Sequence, residues 1–295
     1  MNESAPFRSP PATILVATDL SPRCDRAVDR AAQLAERWNA RVVVVHAIEG
    51  QPDLVETVRL PSWRRPPDPE QAAIEMLRAE TARMPNAADF IARRGRAADI
   101  VLDAAERTQA DLIVTGVARD EPFGRALLGD TVDRLMRTCH APLLIARSRP
   151  HLFYRRIVVA TDFSPSSRHA LEVAAGCFPA AEFTLFNGYD VPFATYLTPA
   201  EIEAGLIRLE TEVVQRFLDE ADIPAGMKNH IERLVEHGAP ERLLPELVIA
   251  RGFDLTVVGT HGGGAIFDLL IGSTARKIID SVPGDVLVAR ARQAG

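Results

Sequence analysis

Residues 156–161 run Arg-Ile-Val-Val-Ala-Thr, apolar and β-branched without alternation, which predicts a strand buried on both faces. Ser164-Pro165 follows as a cap and first-turn proline, predicting a helix to about Cys177. A strand near 182–187 comes next, then an irregular stretch with Pro192 and Pro199 and a long helix to about Ala221. Residues 228–235 read as a third strand and Pro240–Arg251 as a helix. A strand at 254–259, a glycine-rich loop, a helix at 273–281 and a strand at 285–290 complete the series. The earlier part of the chain gives the same order, with a longer proline-rich insert at 50–69. Strand and helix alternation of this kind predicts a parallel sheet with helices on both faces.

The two parts are copies. Ile-Leu-Val-Ala-Thr-Asp at 14–19 returns as Ile-Val-Val-Ala-Thr-Asp at 157–162, and the offset of 143 residues also links Gly95 to Gly238, Gly116 to Gly259 and Gly129 to Gly272. It links Leu144-Ile145-Ala146-Arg147 to Leu287-Val288-Ala289-Arg290 as well. Near Trp38 the register slips, the second copy running about two residues shorter, and then recovers. An offset kept from first strand to last marks a tandem duplication. The expected division is a first domain at 1–147, a linker at 148–154 where a proline and polar residues break the pattern, and a second domain at 155–295.

Composition narrows the function classes. Apolar residues make up 47% and charged residues 25% of 295 positions, ordinary for a soluble globular chain. A formal net charge of -6 argues against a broad nucleic-acid surface. No apolar run approaches the roughly 20 residues of a membrane span, and the polar, proline-rich start does not read as a signal peptide. Cys24, Cys139 and Cys177 show neither metal nor disulfide spacing. They read as core filler in a cytoplasmic protein with free thiols.

The candidate chemistry lies in residues 259–274, Gly-Thr-His-Gly-Gly-Gly-Ala-Ile-Phe-Asp-Leu-Leu-Ile-Gly-Ser-Thr. Glycines let backbone N–H groups approach a ligand closely. Gly272-Ser273-Thr274 then opens a helix whose N-terminus favours an anion such as phosphate. The alternative is a surface loop in which Ser273 or Thr274 is a plain helix cap. In an open parallel sheet the loops after the first and fourth strands meet where the winding reverses, which would bring Asp162 to the same crevice. Asp162 either offers a carboxylate to a ribose hydroxyl or, with Ser164, caps the following helix. His261 is a weak candidate base, having no acid partner nearby in sequence, and His237 reads as a turn residue beside Gly238. Arg276 and Lys277 could face phosphates, although an exposed helix face explains them too.

Here the chain resembles the universal stress protein family. ATP-binding members show glycine, two residues, glycine, nine residues, then glycine and serine or threonine. Gly259, Gly262, Gly272 and Ser273 match each of those positions, and the strand end Ala160-Thr161-Asp162 matches too. The resemblance covers both copies. It implies a Rossmann-like five-stranded parallel sheet per domain in the order 3-2-1-4-5. It also implies ATP, with or without magnesium, as the ligand, its adenine held by backbone near Ala160, Thr161 and Gly188. Residues 142–147 and 285–290 would pair as an internal pseudo-dimer, with pairing to a second whole chain left open. The implied role is regulation of stress survival rather than efficient catalysis.

The first copy departs from the motif. Its loop at 116–131 keeps Gly116 and Gly129, but Arg119 stands at the second glycine and Asp130 at the serine. Asp120 and Glu121 add negative charge, partly offset by Arg119 and Arg125, and Pro122 removes a backbone donor. A carboxylate at a helix start is stable alone and repels a phosphate. The expectation is therefore one ATP site, in the second domain, with the first serving mainly as its partner; Asp19 leaves a weaker or phosphate-free ligand open there. Two other readings compete. One is a slow ATPase or phosphotransferase, although the Gly-x-x-x-x-Gly-Lys-Ser/Thr phosphate loop is absent. The other is an interaction module without nucleotide. The insert, with Trp63, Arg64 and Arg65 among prolines, reads as a surface loop or a partner contact.

Overall fold

The computed structural model describes residues 9–22, 24–50, 68–82, 84, 87–117, 119–120, 126–189, 212–260 and 271–290. The first half runs β1 (Thr13–Ala17), α1 (Asp25–Trp38), β2 (Arg41–Ile48), α2 (Pro69–Glu80), β3 (Ala87–Arg94), α3 (Ala97–Thr108) and β4 (Leu112–Thr115). A small hairpin follows, β5 (Arg119–Asp120) with β6 (Ala126–Leu127), then α4 (Asp130–Thr138) and β7 (Leu143–Ile145). The second half runs β8 (Arg156–Ala160), α5 (Pro165–Cys177), β9 (Glu182–Tyr189), α6 (Val214–Glu220), α7 (Ala225–Lys228) and β10 (Glu232–His237). It ends with α8 (Pro240–Arg251), β11 (Leu255–Gly259), α9 (Ser273–Ser281) and β12 (Asp285–Ala289).

The helix boundaries have local causes. Asp68 caps α2 through its carboxylate on the Glu70 N–H, with Pro69 in the first turn. Ser164 accepts from the Ser167 N–H at the start of α5, and Gly252 ends α8 in the left-handed region. The third strand of the second half begins later than its pattern suggests. Residues 225–228 form the short α7, and His230 Nδ1 bonds the Gly226 carbonyl at 2.7 Å. The turn after Pro224 thus takes residues whose alternation alone reads as strand.

Both halves carry the parallel order 3-2-1-4-5, as β3-β2-β1-β4-β7 and β10-β9-β8-β11-β12. The last strands join them: β7 and β12 pair antiparallel through Ile145–Val286, Leu144–Leu287 and Leu143–Val288. The result is one ten-stranded sheet. Strand alternation sends Ile14, Val16, Leu144 and Leu287 into one core layer. Leu15, Leu143, Ile145 and Val286 enter the other. Each layer therefore runs unbroken across the joint, and apolar burial makes the two halves one body. Among the described residues no helix is long and apolar enough to cross a membrane.

Polar groups lock the joint. Asp285, 1% exposed, accepts the Arg147 and Ser148 N–H groups at 2.8 and 2.9 Å, the Tyr154 hydroxyl at 2.5 Å and Arg30 Nε at 3.0 Å. Arg147 donates across the joint to the Ile279 and Val282 carbonyls at the end of α9, and Arg290 reaches back to the Arg137 carbonyl in α4. Each arginine supplies a cation where a helix leaves its carbonyls unpaired. Phe153 and Tyr154, in the segment expected as a polar linker, pack with Trp38 of the first half and Phe178 of the second.

Candidate functional site

The carboxyl ends of β8 and β11 lie side by side, Ala160 opposite Val258. The chain leaves β8 toward β9 on one side, while β11 lies on the other, so the crevice between them is the switch point of this half. Thr161 is fixed there by the sheet. Its N–H donates to the Phe186 carbonyl at 2.9 Å, and its own carbonyl accepts Asn187 Nδ2 at 2.7 Å. The Thr161 hydroxyl accepts the Phe163 N–H and shares a hydrogen bond with Ser167 Oγ, both at 2.9 Å.

Asp162 sits at the tip of this loop, exposed, with Oδ1 accepting the Ser164 N–H at 3.1 Å. The helix cap itself is Ser164, so Asp162 shapes the loop without capping α5. Among the described residues nothing pairs with its other oxygen. Phe163 follows at φ 61, and its counterpart Leu20 lies at φ 59. A bulky side chain in the left-handed region is strained. Its recurrence in both copies shows that the fold imposes this turn and with it the placement of the aspartate.

Across the crevice, Gly259 ends β11 against the first turn of α5, where a Cβ would lie 2.8 Å from the Ser166 carbonyl oxygen. Packing alone therefore demands glycine here. The same holds at Gly188, whose Cβ would meet the Gly238 oxygen and Pro240 Cα at 2.9 Å. Gly272 ties its N–H to the Thr260 carbonyl at 2.8 Å and delivers the chain into α9. The first turn of α9 has neither a side-chain cap nor an acidic residue, and Ser273 and Thr274 are exposed in it. Among the described residues nothing accepts from the N–H groups of these two residues, and with two hydroxyls and no carboxylate the turn suits a phosphate. His261 and Gly262 lie outside the described residues.

The remaining candidates are otherwise engaged. Arg276 is bonded to Asp133 of the first half and to Asp280, and Lys277 to Glu241 at 3.1 Å. His237 packs edge-on against Tyr189 with ring centroids 5.5 Å apart. The residue that sequence reasoning missed is Asn187, which binds the loop after β8 to β9. The only signal for it was a polar residue inside an apolar strand.

In the first half the equivalent crevice forms a half-open cavity of about 470 Å³ between the ends of β1, β2 and β4 and the starts of α3 and α4. Here His46 replaces Asn187: its Nδ1 lies 2.9 Å from the Thr18 carbonyl. A carbonyl can only accept, so Nδ1 carries the proton. Helix α4 opens with Asp130 and Asp133 in its first turn, unlike α9. In the preceding segment Arg119–Asp120 pairs antiparallel with Ala126–Leu127 as β5–β6. Burial, with Asp19 nearby, pushes the Cys24 thiol up to about 11, so sulfur at this cavity is neutral near pH 7. Among the described residues no group of three His, Cys, Asp or Glu could hold a metal.

Comparison with known proteins identifies the family and the fold. The model described as the universal stress protein family matches residues 12–147 and again 153–290. A universal stress protein of Mycolicibacterium smegmatis is 26% identical over an alignment 308 positions long, gaps included, covering 95% of this chain and 97% of that protein. One from Thermus aquaticus is 31% identical over 139 residues, 46% of this chain and 99% of its own length, hence the size of a single copy. Among solved structures, a universal stress protein from Archaeoglobus fulgidus superimposes with a TM-score of 0.67 at 17% identity, over 94% of this chain and 98% of its own. A putative universal stress protein from Pseudomonas aeruginosa gives 0.66 at 18% identity, over 95% and 93%. At these identities the structural likeness concerns the fold.

Proposed function

We propose that this chain, which belongs to the universal stress protein family over both of its halves, is an ATP-binding regulatory protein that holds its nucleotide in the second half. The observation that carries the reading is the start of α9, free of carboxylate and side-chain cap, beside the switch point where Asp162 is held exposed. The phosphates would lie at Ser273 and Thr274, the ribose at Asp162, and the base along Ala160, Thr161 and Gly188. Magnesium would arrive with the phosphates. Two domains at 1–147 and 155–295 joined by 148–154, and work in the cytoplasm, complete the reading.

Binding is favoured over turnover by the state of the nearby cations. Arg276 is held by two carboxylates and Lys277 by one, which lowers the charge they offer a phosphoryl transition state. Isothermal titration with ATP tests the proposal. The expected result is saturable binding that Gly272→Glu abolishes; no binding at millimolar ATP, or unchanged affinity in Gly272→Glu, overturns it. A phosphate-release assay at background level separates binding from hydrolysis.

A further inference from the structure

The first half was expected to serve mainly as a structural partner, yet it contains a formed cavity. Its volume of about 470 Å³ falls in the range of roughly 300–1,000 Å³ typical of small-molecule sites. Val45, Ile48, Val101, Val117 and Val132 supply apolar walls. Asp19 and Glu49 stand among the lining residues, and His46 and Thr115 add polar atoms inside. With Nδ1 donating to Thr18, the imidazole in its uncharged form presents Nε2 as an acceptor. The sides of the cavity therefore suit an uncharged, hydrogen-bonding heterocycle.

The end at α4 rejects a phosphate for three separate reasons. Asp130 places a carboxylate in the first turn of that helix, where the equivalent turn of α9 has none. Among the described lining residues there is no lysine or arginine. In the segment that would wrap a phosphate, Arg119 lies opposite Leu127 and Asp120 opposite Ala126, so the backbone of these four residues pairs antiparallel within the segment. The rest of the crevice keeps the frame of the second half. Leu20 repeats the left-handed turn of Phe163 and so places Asp19 as Phe163 places Asp162. His46 repeats the bond of Asn187 to the preceding loop.

We infer that the first-half cavity is a second ligand site that takes a phosphate-free nucleoside and excludes nucleotides. The nucleoside assignment rests on the reading of the second-half crevice as a nucleotide site, whose geometry it shares up to the phosphate end. The chain thus carries two sites that sort ligands by charge, one for phosphorylated and one for unphosphorylated forms.

The test uses the full chain carrying Gly272→Glu, which closes the second half, titrated calorimetrically with the four common ribonucleosides and their monophosphates. At least one nucleoside should bind saturably, and its monophosphate at least tenfold more weakly. Filling the cavity from its rim with Thr131→Trp or, separately, Ala97→Phe should weaken the nucleoside at least tenfold. Asp130→Ser should narrow the gap between nucleoside and monophosphate. No nucleoside bound at millimolar concentration, monophosphate bound as tightly as nucleoside, or unchanged affinity in both filled variants overturns the inference. ATP binding to the unmodified chain reports separately on the second half. If ATP fails while a nucleoside binds at the cavity, the assignment of the second half falls alone; if ATP binds and nucleosides do not, this inference falls alone.

Discussion

Asp133 and Arg276 occupy the same position in the two copies, 143 residues apart, and they are bonded to each other. A residue that meets its own copy across an approximate two-fold axis must, in a true homodimer, face an identical side chain. Duplication within one chain lifts that constraint, and here the position has become a complementary pair, aspartate in one half and arginine in the other. Asp133→Arg would restore the like-charge contact. Both side chains are about 30% exposed, so screening limits the loss to about 1 kcal/mol, about 2 °C in melting temperature for a chain of this size. The double swap Asp133→Arg with Arg276→Asp should recover most of it. Thermal denaturation of the four proteins checks this; additive losses in the double variant would contradict a direct pairing.

The other locking group has no counterpart. Asp285 corresponds to Pro142 in the first copy, so its bonds to Arg30, Arg147, Ser148 and Tyr154 hold the joint from one side only. Arg30 and Asp285 are 4% and 1% exposed. Removing the carboxylate strands a buried guanidinium, which costs about 3–5 kcal/mol. Asp285→Ala should lower the urea midpoint sharply, with the loss shared by probes in both halves, because the two core layers are continuous across the joint.

What the sequence revealed and what it withheld divide along a physical line. The 143-residue offset, the buried strands and the helices at 240–251 and 273–281 rest on local pattern, and the structure places those helices at the same residues. The end-strand pairing follows from the family resemblance. Asp285 could not be read, because its meaning depends on Arg30, which is 255 residues distant and sits in a helix whose pattern is otherwise ordinary. Gly188 and Gly259 were legible as glycines but not in purpose. Both fit ligand approach, whereas the structure shows close packing against Pro240 and Ser166. The cavity of the first half was legible only in part: Asp19 left a weaker or phosphate-free ligand open there, but the walls come from side chains spread over β2, β4, α3 and α4.

Tyr154 supplies a pH signature of the joint. Complete burial, with Asp285 beside it, raises its hydroxyl well above the ordinary value of 10.0, an effect that neighbouring Arg30 only partly offsets. A group whose folded pKa is raised contributes stability that is whole below the unfolded pKa and is lost as pH rises through the folded one. The contribution of Tyr154 is therefore complete below about pH 10 and declines above it. Tyr154→Phe should be less stable than the parent at pH 8, because Asp285 loses a donor. The gap should shrink as pH climbs beyond 10, as denaturation midpoints across that range would show; a constant gap would mean that the hydroxyl ionises equally in both states.

Gly259→Ala separates the two explanations of the motif glycine. A Cβ at this position would lie within 2.9 Å of Ser166 backbone and side-chain atoms, too close without a shift of α5 away from β11. The expected cost is about 1–3 kcal/mol of stability, measured without any nucleotide present. If the glycine served only ligand approach, the nucleotide-free stability would be unchanged and ATP affinity alone would fall.

Ser273→Asp transplants into the second half the feature that distinguishes the first. The start of α9 would then resemble the start of α4, where Asp130 opens the helix. As a folding matter the change should be neutral or mildly stabilising, by about 0.3–1 kcal/mol, since a carboxylate suits the positive end of the helix dipole. As a binding matter it should be harmful, because the carboxylate takes the place of the phosphate and repels it. The same substitution is thus expected to raise the melting temperature slightly while weakening ATP at least tenfold, about 1.4 kcal/mol. Calorimetric titration and thermal melts on one preparation give both readings. Opposite signs are the mark of a helix start kept free of acid for a ligand. A weakening of ATP accompanied by equal destabilisation would instead report ordinary structural damage.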